Sequence, residues 1–178
     1  MAKRIYTGTG VIAASDYRYV KYVGTTKNGK GVTIILPKAL CRSNPDFAFA
    51  EKDDVVAALE FEGVYNDTAL AQSDRTEPWT MEVEDGVEAG ASEILLGVGK
   101  FYIGTSASDA VAVGLTRGGG SFIVEREQRE INADGDPGAV EGRVVQEMGR
   151  PKLTLNALQF ITKMDKMYAG MSVASSTT

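Results

Sequence analysis

The chain has 178 residues, 43% of them hydrophobic and 24% charged, with a formal net charge of -5. This is globular composition at single-domain length, enough to bury a core without covalent staples. Histidine is absent and Cys41 is the single cysteine, which excludes an intrachain disulfide, a Cys/His zinc site and any histidine-based triad; the acidic balance argues against general nucleic-acid binding.

The opening Met1-Ala2-Lys3-Arg4-Ile5-Tyr6 is followed by no apolar h-region, and no 18-residue uncharged apolar run occurs anywhere. The expectation is therefore neither a secretory signal nor a transmembrane helix. Periodicity is mainly two, so the chain is expected to be mainly β. Tyr17, Tyr19, Lys21 and Val23 alternate with Arg18, Val20, Tyr22 and Gly24, and Lys27-Asn28-Gly29-Lys30 supplies a hairpin signal before Val32–Leu36. Ala48–Leu59 reads as two strands around Lys52-Asp53-Asp54, with a second β run over Val55–Tyr65. Gly86–Ser92 reads as a flexible connector. A third run, Ser121–Ile131, follows the breaker Gly118-Gly119-Gly120 and carries charge on both faces, an arrangement that calls for cover from a neighbouring subunit. Pro151–Leu158 reads as a fourth strand. One helix is expected over Leu158–Met167, its Phe160, Ile161, Met164, Met167 and Tyr168 forming one apolar stripe closed by Gly170. Ser172–Thr178 reads as a fraying tail.

Charge is distributed unevenly. Residues 1–45 carry eight Lys/Arg against Asp16, a net of +7, whereas residues 46–93 carry fourteen acids against Lys52 and Arg75, a net of -12. The remainder balances nine against nine. Folding either interleaves these blocks into a mixed surface or yields a subunit with opposed faces suited to head-to-tail stacking or to an acidic cavity.

Motifs for chemistry fail on inspection. Gly97-Val98-Gly99-Lys100 suggests a phosphate loop, but Phe101 stands where Ser or Thr must meet magnesium and Ile94 replaces the first glycine; turn glycines are the plainer reading. Asn132–Gly138 imitates the start of a calcium loop, yet Pro137 takes the turn-glycine position and Arg143 that of the bidentate glutamate. Carboxylate pairs such as Asp53/Asp54 and Glu125/Glu127 have nothing to set one acid apart from the other, as acid–base work requires. Trp79, beside Pro78, reads as a core or edge plug. No cofactor, metal site or catalytic residue is expected, and the chain is read as a non-enzyme.

Leu95–Gly104, Val113–Phe122, Val124–Glu127 and Ile131–Arg143 follow one another in an order that resembles the first half of the bacteriophage major tail proteins, the tail tube proteins of long-tailed phages; Lys152–Met171 continues the pattern. Asp16-Tyr17, Val23–Lys30, Ile34–Leu40, Glu51-Lys52-Asp53 and Glu77–Glu82 resemble that family's second half. The chain therefore resembles a circular permutant within one domain, 1–178. Residues 3–84 resemble the C-terminal half, 85–92 are the connector that would join the old ends, and 93–171 resemble the N-terminal half. The resemblance implies an antiparallel β-sandwich or small barrel with one flanking α-helix. It further implies self-assembly into stacked hexameric rings forming a hollow tube in the virion, put together in the host bacterial cytoplasm. Other tail proteins are the implied partners; DNA passes through the lumen without specific binding, and no membrane is involved. Candidate subunit-interface or lumen residues are Glu125, Arg126, Glu127, Arg129, Glu130, Asp134, Asp136 and Arg143. The competing reading is a monomeric β-sandwich module binding glycan or peptide through Trp79 and the Tyr17–Tyr22 stripe.

Overall fold

The structure, a computed structural model, describes residues 2–25, 30–45, 56–65, 76–84, 99–131, 143–158 and 163–177. Its elements are β1 (Ala2–Gly8), a 3-10 turn (Ala14–Asp16), β2 (Arg18–Thr25), β3 (Gly31–Cys41), β4 (Ala57–Gly63), β5 (Thr80–Val83), β6 (Gly99–Gly104), β7 (Val111–Glu130), β8 (Val144–Ala157), α1 (Met164–Met167) and β9 (Met171–Thr177). Every pairing is antiparallel. The order β2-β6-β7-β8-β4-β3 closes through β2–β3 into a six-stranded barrel, with β5 added along the first half of β3. Closure leaves no open edge within the barrel itself.

The alternation that marks the strands also fills the barrel. Val20 and Tyr22, Val32, Ile34 and Leu36, Leu59 and Phe61, Phe101 and Ile103, and Leu153 and Leu155 all point inward and form one core. Burying a side chain of this size contributes about 1.5–3 kcal/mol each before entropy is counted. Tyr22 fixes the packing locally: its ring fills the space where Gly24 and Gly99 lack a Cβ, and a Cβ on Gly99 would sit 2.5 Å from the ring. Gly99 thus opens a strand, where the sequence suggests a turn, because the neighbouring ring needs that space.

The two halves of the chain make equal contributions. β2–β3–β4 form one three-stranded meander and β6–β7–β8 another, joined along the seams β2–β6 and β4–β8. The registers Gly99↔Gly24, Gly24↔Val32 and Val32↔Val83 place the end of β5 and the start of β6 in one row. They stand three strand spacings apart, roughly 14 Å.

Three further expectations are corrected, and the helix is followed in part. The expected helix is present at Met164–Met167, where Met164, Met167 and Tyr168 are buried and Gly170 follows at φ +66°; its earlier residues 159–162 lie outside the described residues. The glycine triplet does not precede β7 but lies inside it. It is absorbed as an irregularity in which Thr116↔Ala157 is followed by Gly120↔Leu155, with Gly119 at φ +83°. The fourth strand starts at Val144, well before Pro151. The tail from Ser172 is not frayed: β9 pairs with β1 residue for residue, from Gly8↔Met171 to Ala2↔Thr177, and satisfies its backbone there. The Lys52–Asp54 turn, the Asn28-Gly29 turn, the Gly86–Ser92 connector and the Asn132–Gly138 segment fall outside the described residues, although Thr25↔Gly31 pairs as that hairpin requires.

Candidate assembly surface

Beyond the barrel, β7 and β8 continue as a two-stranded arm. β6 pairs with β7 only from Val111 to Leu115, and β4 pairs with β8 only from Lys152 to Ala157. From Val124↔Pro151 to Glu130↔Val144 the two strands have only each other as strand partners among the described residues. The pairing ends with Ile131 N–H donating to the Arg143 carbonyl at 2.9 Å. The arm reaches roughly 27 Å from Phe122 to Glu130 at the rise of an antiparallel strand.

Its root is anchored. The Trp79 ring lies 5.4 Å from that of Phe122, tilted by 58°, and both pack on the core, so Trp79 is an edge plug. Glu77 accepts from the Tyr65 hydroxyl and from Gln146 Nε2, each at 3.5 Å, beside Gly149. On one face Lys152 Nζ donates to Glu125 at 2.9 Å, and that bond, together with the charge of Glu125, Glu60 and Glu62, raises the lysine pKa. The pair is half exposed and adds little to stability.

Past this root every described β7 side chain from Glu125 to Glu130 is exposed, as is Ile131. Glu125, Glu127 and Arg129 share one face and Arg126, Gln128 and Glu130 the other. The candidate residues Glu125, Arg126, Glu127, Arg129 and Glu130 therefore all lie on one strand of the arm, with Arg143 exposed at its far end; Asp134 and Asp136 fall outside the described residues. The two-sided exposure read from the sequence is what the structure has. What the sequence does not reveal is that β8 doubles the arm as far as Val144. Its residues Val144–Gly149 lack a regular polar/apolar alternation, and their strand character follows from pairing with β7.

The charge blocks mix where they can be followed. β3, from the basic block, is hydrogen-bonded to β4 and β5 from the acidic one, Arg42 bridges Glu62 at 2.9 Å, and Gly31 N–H donates to Glu84. Of the fourteen acids, Glu60, Glu62, Glu77, Glu82 and Glu84 are on described residues, and none of these builds an isolated acidic face. Elsewhere, a depression of about 330 Å³ on the outer face of β2 and β6 is lined by Tyr19, Lys21, Val23 and Tyr102 with Ala107 and Ala110. The tyrosine stripe is split by the strand period, since Tyr22 is in the barrel core and Tyr19, though buried, lines the depression. Asp109 ties the adjoining loop by accepting from the backbone and hydroxyls of Thr105 and Ser106, which holds its pKa well below the usual carboxylate range. Among the described residues no three acidic or cysteine side chains converge as a metal site, and no helix is long and apolar enough to cross a membrane.

No family model matches the chain, and no curated protein or solved structure does.

Proposed function

We propose that this chain is a non-enzymatic structural subunit of a phage-type tail tube, assembling into stacked hexameric rings around a lumen that carries DNA. The observation that carries the reading is the arm. A lone two-stranded ribbon is marginal in water. One whose β7 side chains from Glu125 to Glu130 are exposed on both faces, and with neither edge paired to a further strand among the described residues, is an element made for another chain. A second copy supplies that chain without any further gene product, and a head-to-tail contact repeated around an axis closes a ring.

Two further features support it. The segments that resemble the family's first half build β6, β7, β8 and α1, and those that resemble its second half build β2 to β5, so each half coincides with one intact meander. The swapped order then needs only two altered connections, at Ala2↔Thr177 and between β5 and β6. An acid-bearing wall also suits a conduit, because it repels phosphate instead of releasing counterions from it; Glu125, Glu127 and Glu130 are its candidates. Other tail proteins would meet the tube at its ends, in a virion put together in the host bacterial cytoplasm. Negative-stain electron microscopy across concentration and salt tests the proposal. Sixfold rings or hollow tubes are expected, and particles no larger than dimers under every condition would refute it.

The depression at Tyr19, Lys21 and Tyr102 favours a second reading, a glycan- or peptide-binding module. A monomer whose ligand binding is lost on Tyr102→Ala would establish it.

A further inference from the structure

We infer that the outer edge of β7 in the arm is a self-recognition surface: two copies pair antiparallel, edge to edge, about a two-fold axis through Gln128. The observation is a self-complementary run of charge. Arg126-Glu127-Gln128-Arg129-Glu130 is exposed throughout, and among the described residues its strand pairing is on one side only, to β8. Laid antiparallel on itself with Gln128 opposite Gln128, it sets Arg126 against Glu130 and Glu127 against Arg129. The two-fold axis doubles each pairing.

Strand geometry makes these contacts real neighbours. Directly opposite residues of an antiparallel pair point to the same face, with Cα atoms about 4.5–5.5 Å apart. Opposite charges placed so are favourable and like charges are not. Register is thereby specified. Moving the pairing by one residue sets Glu125 against Glu130 in one direction and Glu127 against Glu130 in the other. Exposed edges are usually blunted by one sign of charge, most often lysine, which repels an identical edge. This edge alternates in sign and so attracts its own copy. The irregularity between Glu127 and Gln128 drops one residue of β8, between Met148 and Gln146, so β7 itself stays regular where it would pair.

The inference does not rest on the tube. Head-to-tail ring contacts have no two-fold axis between neighbours, so the edge-paired dimer is a separate state in which each arm caps another and is withheld from ring growth.

Sedimentation velocity of the full chain, with charge-swapped variants, reads it directly. Arg126→Glu and Glu130→Arg each place two like-charge contacts in the dimer and should weaken it about 10-fold, whereas the double variant R126E/E130R restores the pairing. Gln128→Cys supplies a second reading. The native Cys41 is buried, so mild oxidation should link the introduced thiol to that of the second copy across the axis, at a spacing a disulfide accepts. Ser121→Cys on the same strand should stay unlinked. Thermal melts confirm that each variant folds. Single reversals that leave association unchanged, a double variant no better than the singles, or linking at position 121 as ready as at 128 would overturn the inference, and would leave the ring proposal standing on its own microscopy.

Discussion

The most constrained residues are those around Tyr22. Its ring is fully buried over Gly24 and Gly99, and its hydroxyl is hydrogen-bonded to Thr116, whose Oγ1 also accepts from Gly99 N–H at 3.1 Å. Gly99→Ala should therefore overpack the seam between β2 and β6 and cost about 1–3 kcal/mol. Thr116→Val, nearly equal in volume, should cost a similar ~1–3 kcal/mol by leaving buried donors without an acceptor. Denaturant melts measure both. Cys41 makes a different prediction, because burial pushes its thiol from 9.0 up to about 11. The unfolded chain then loses this proton first as pH rises, so the folded state binds more protons between the two values. The contribution of this thiol should be constant below about pH 9 and fall between pH 9 and 11, by roughly 2–3 kcal/mol. Cys41→Ala should flatten that part of the profile relative to the parent chain, and an unchanged slope would show that the thiol is not the cause.

Elements that bury a face against the barrel can be read from the sequence, and those defined by a distant partner cannot. β2, β3 and β4 announce themselves because one side of each must be apolar, and the alternation persists in the burial of Val20 and Tyr22, of Val32 to Leu36, and of Leu59 and Phe61. β1 and β9 lack that signal: Ala2–Gly8 and Met171–Thr177 mix small and polar residues, and among the described residues their only strand partner is each other, from opposite ends of the chain. The helix stripe is legible where it can be followed, since Met164 and Met167 are buried in the core. The candidate surface is half legible: charges on both faces of Glu125–Glu130 signal exposure, but nothing in Val144–Gly149 signals a second strand. The arm is also separable. Val124 pairs with Pro151 at its root, so replacing residues 125–150 by an Asn-Gly turn should leave a folded barrel, with near-UV circular dichroism and melting close to the parent. Ring and dimer formation should both be lost. A collapsed barrel would mean that the arm stabilises the fold and does not merely project from it.

At the scale of the whole molecule, the order of the strands along the chain and their order around the barrel are separate matters, because each meander is complete in itself. The β1–β9 ribbon is a hairpin without its turn: Ala2 faces Thr177 in register, the position where a two-residue loop would join them. The other connection leaves β5 and enters β6 from one row of the barrel, a gap of roughly 14 Å that a few extended residues cover. Linking Thr177 to Ala2 through Asn-Gly and opening new ends within residues 85–92 should therefore give a chain that folds to the same barrel. Its far-UV spectrum should be unchanged. Its melting temperature should lie within a few degrees of the parent, since one closure replaces another and loop entropy varies only slowly with length. If the relinked chain aggregates while the parent stays folded, the connection across residues 85–92 contributes more than continuity, and the two orders are not interchangeable. If it folds and forms the same assemblies, the barrel and its arm are the unit of function, and the point at which the chain is cut is incidental to it.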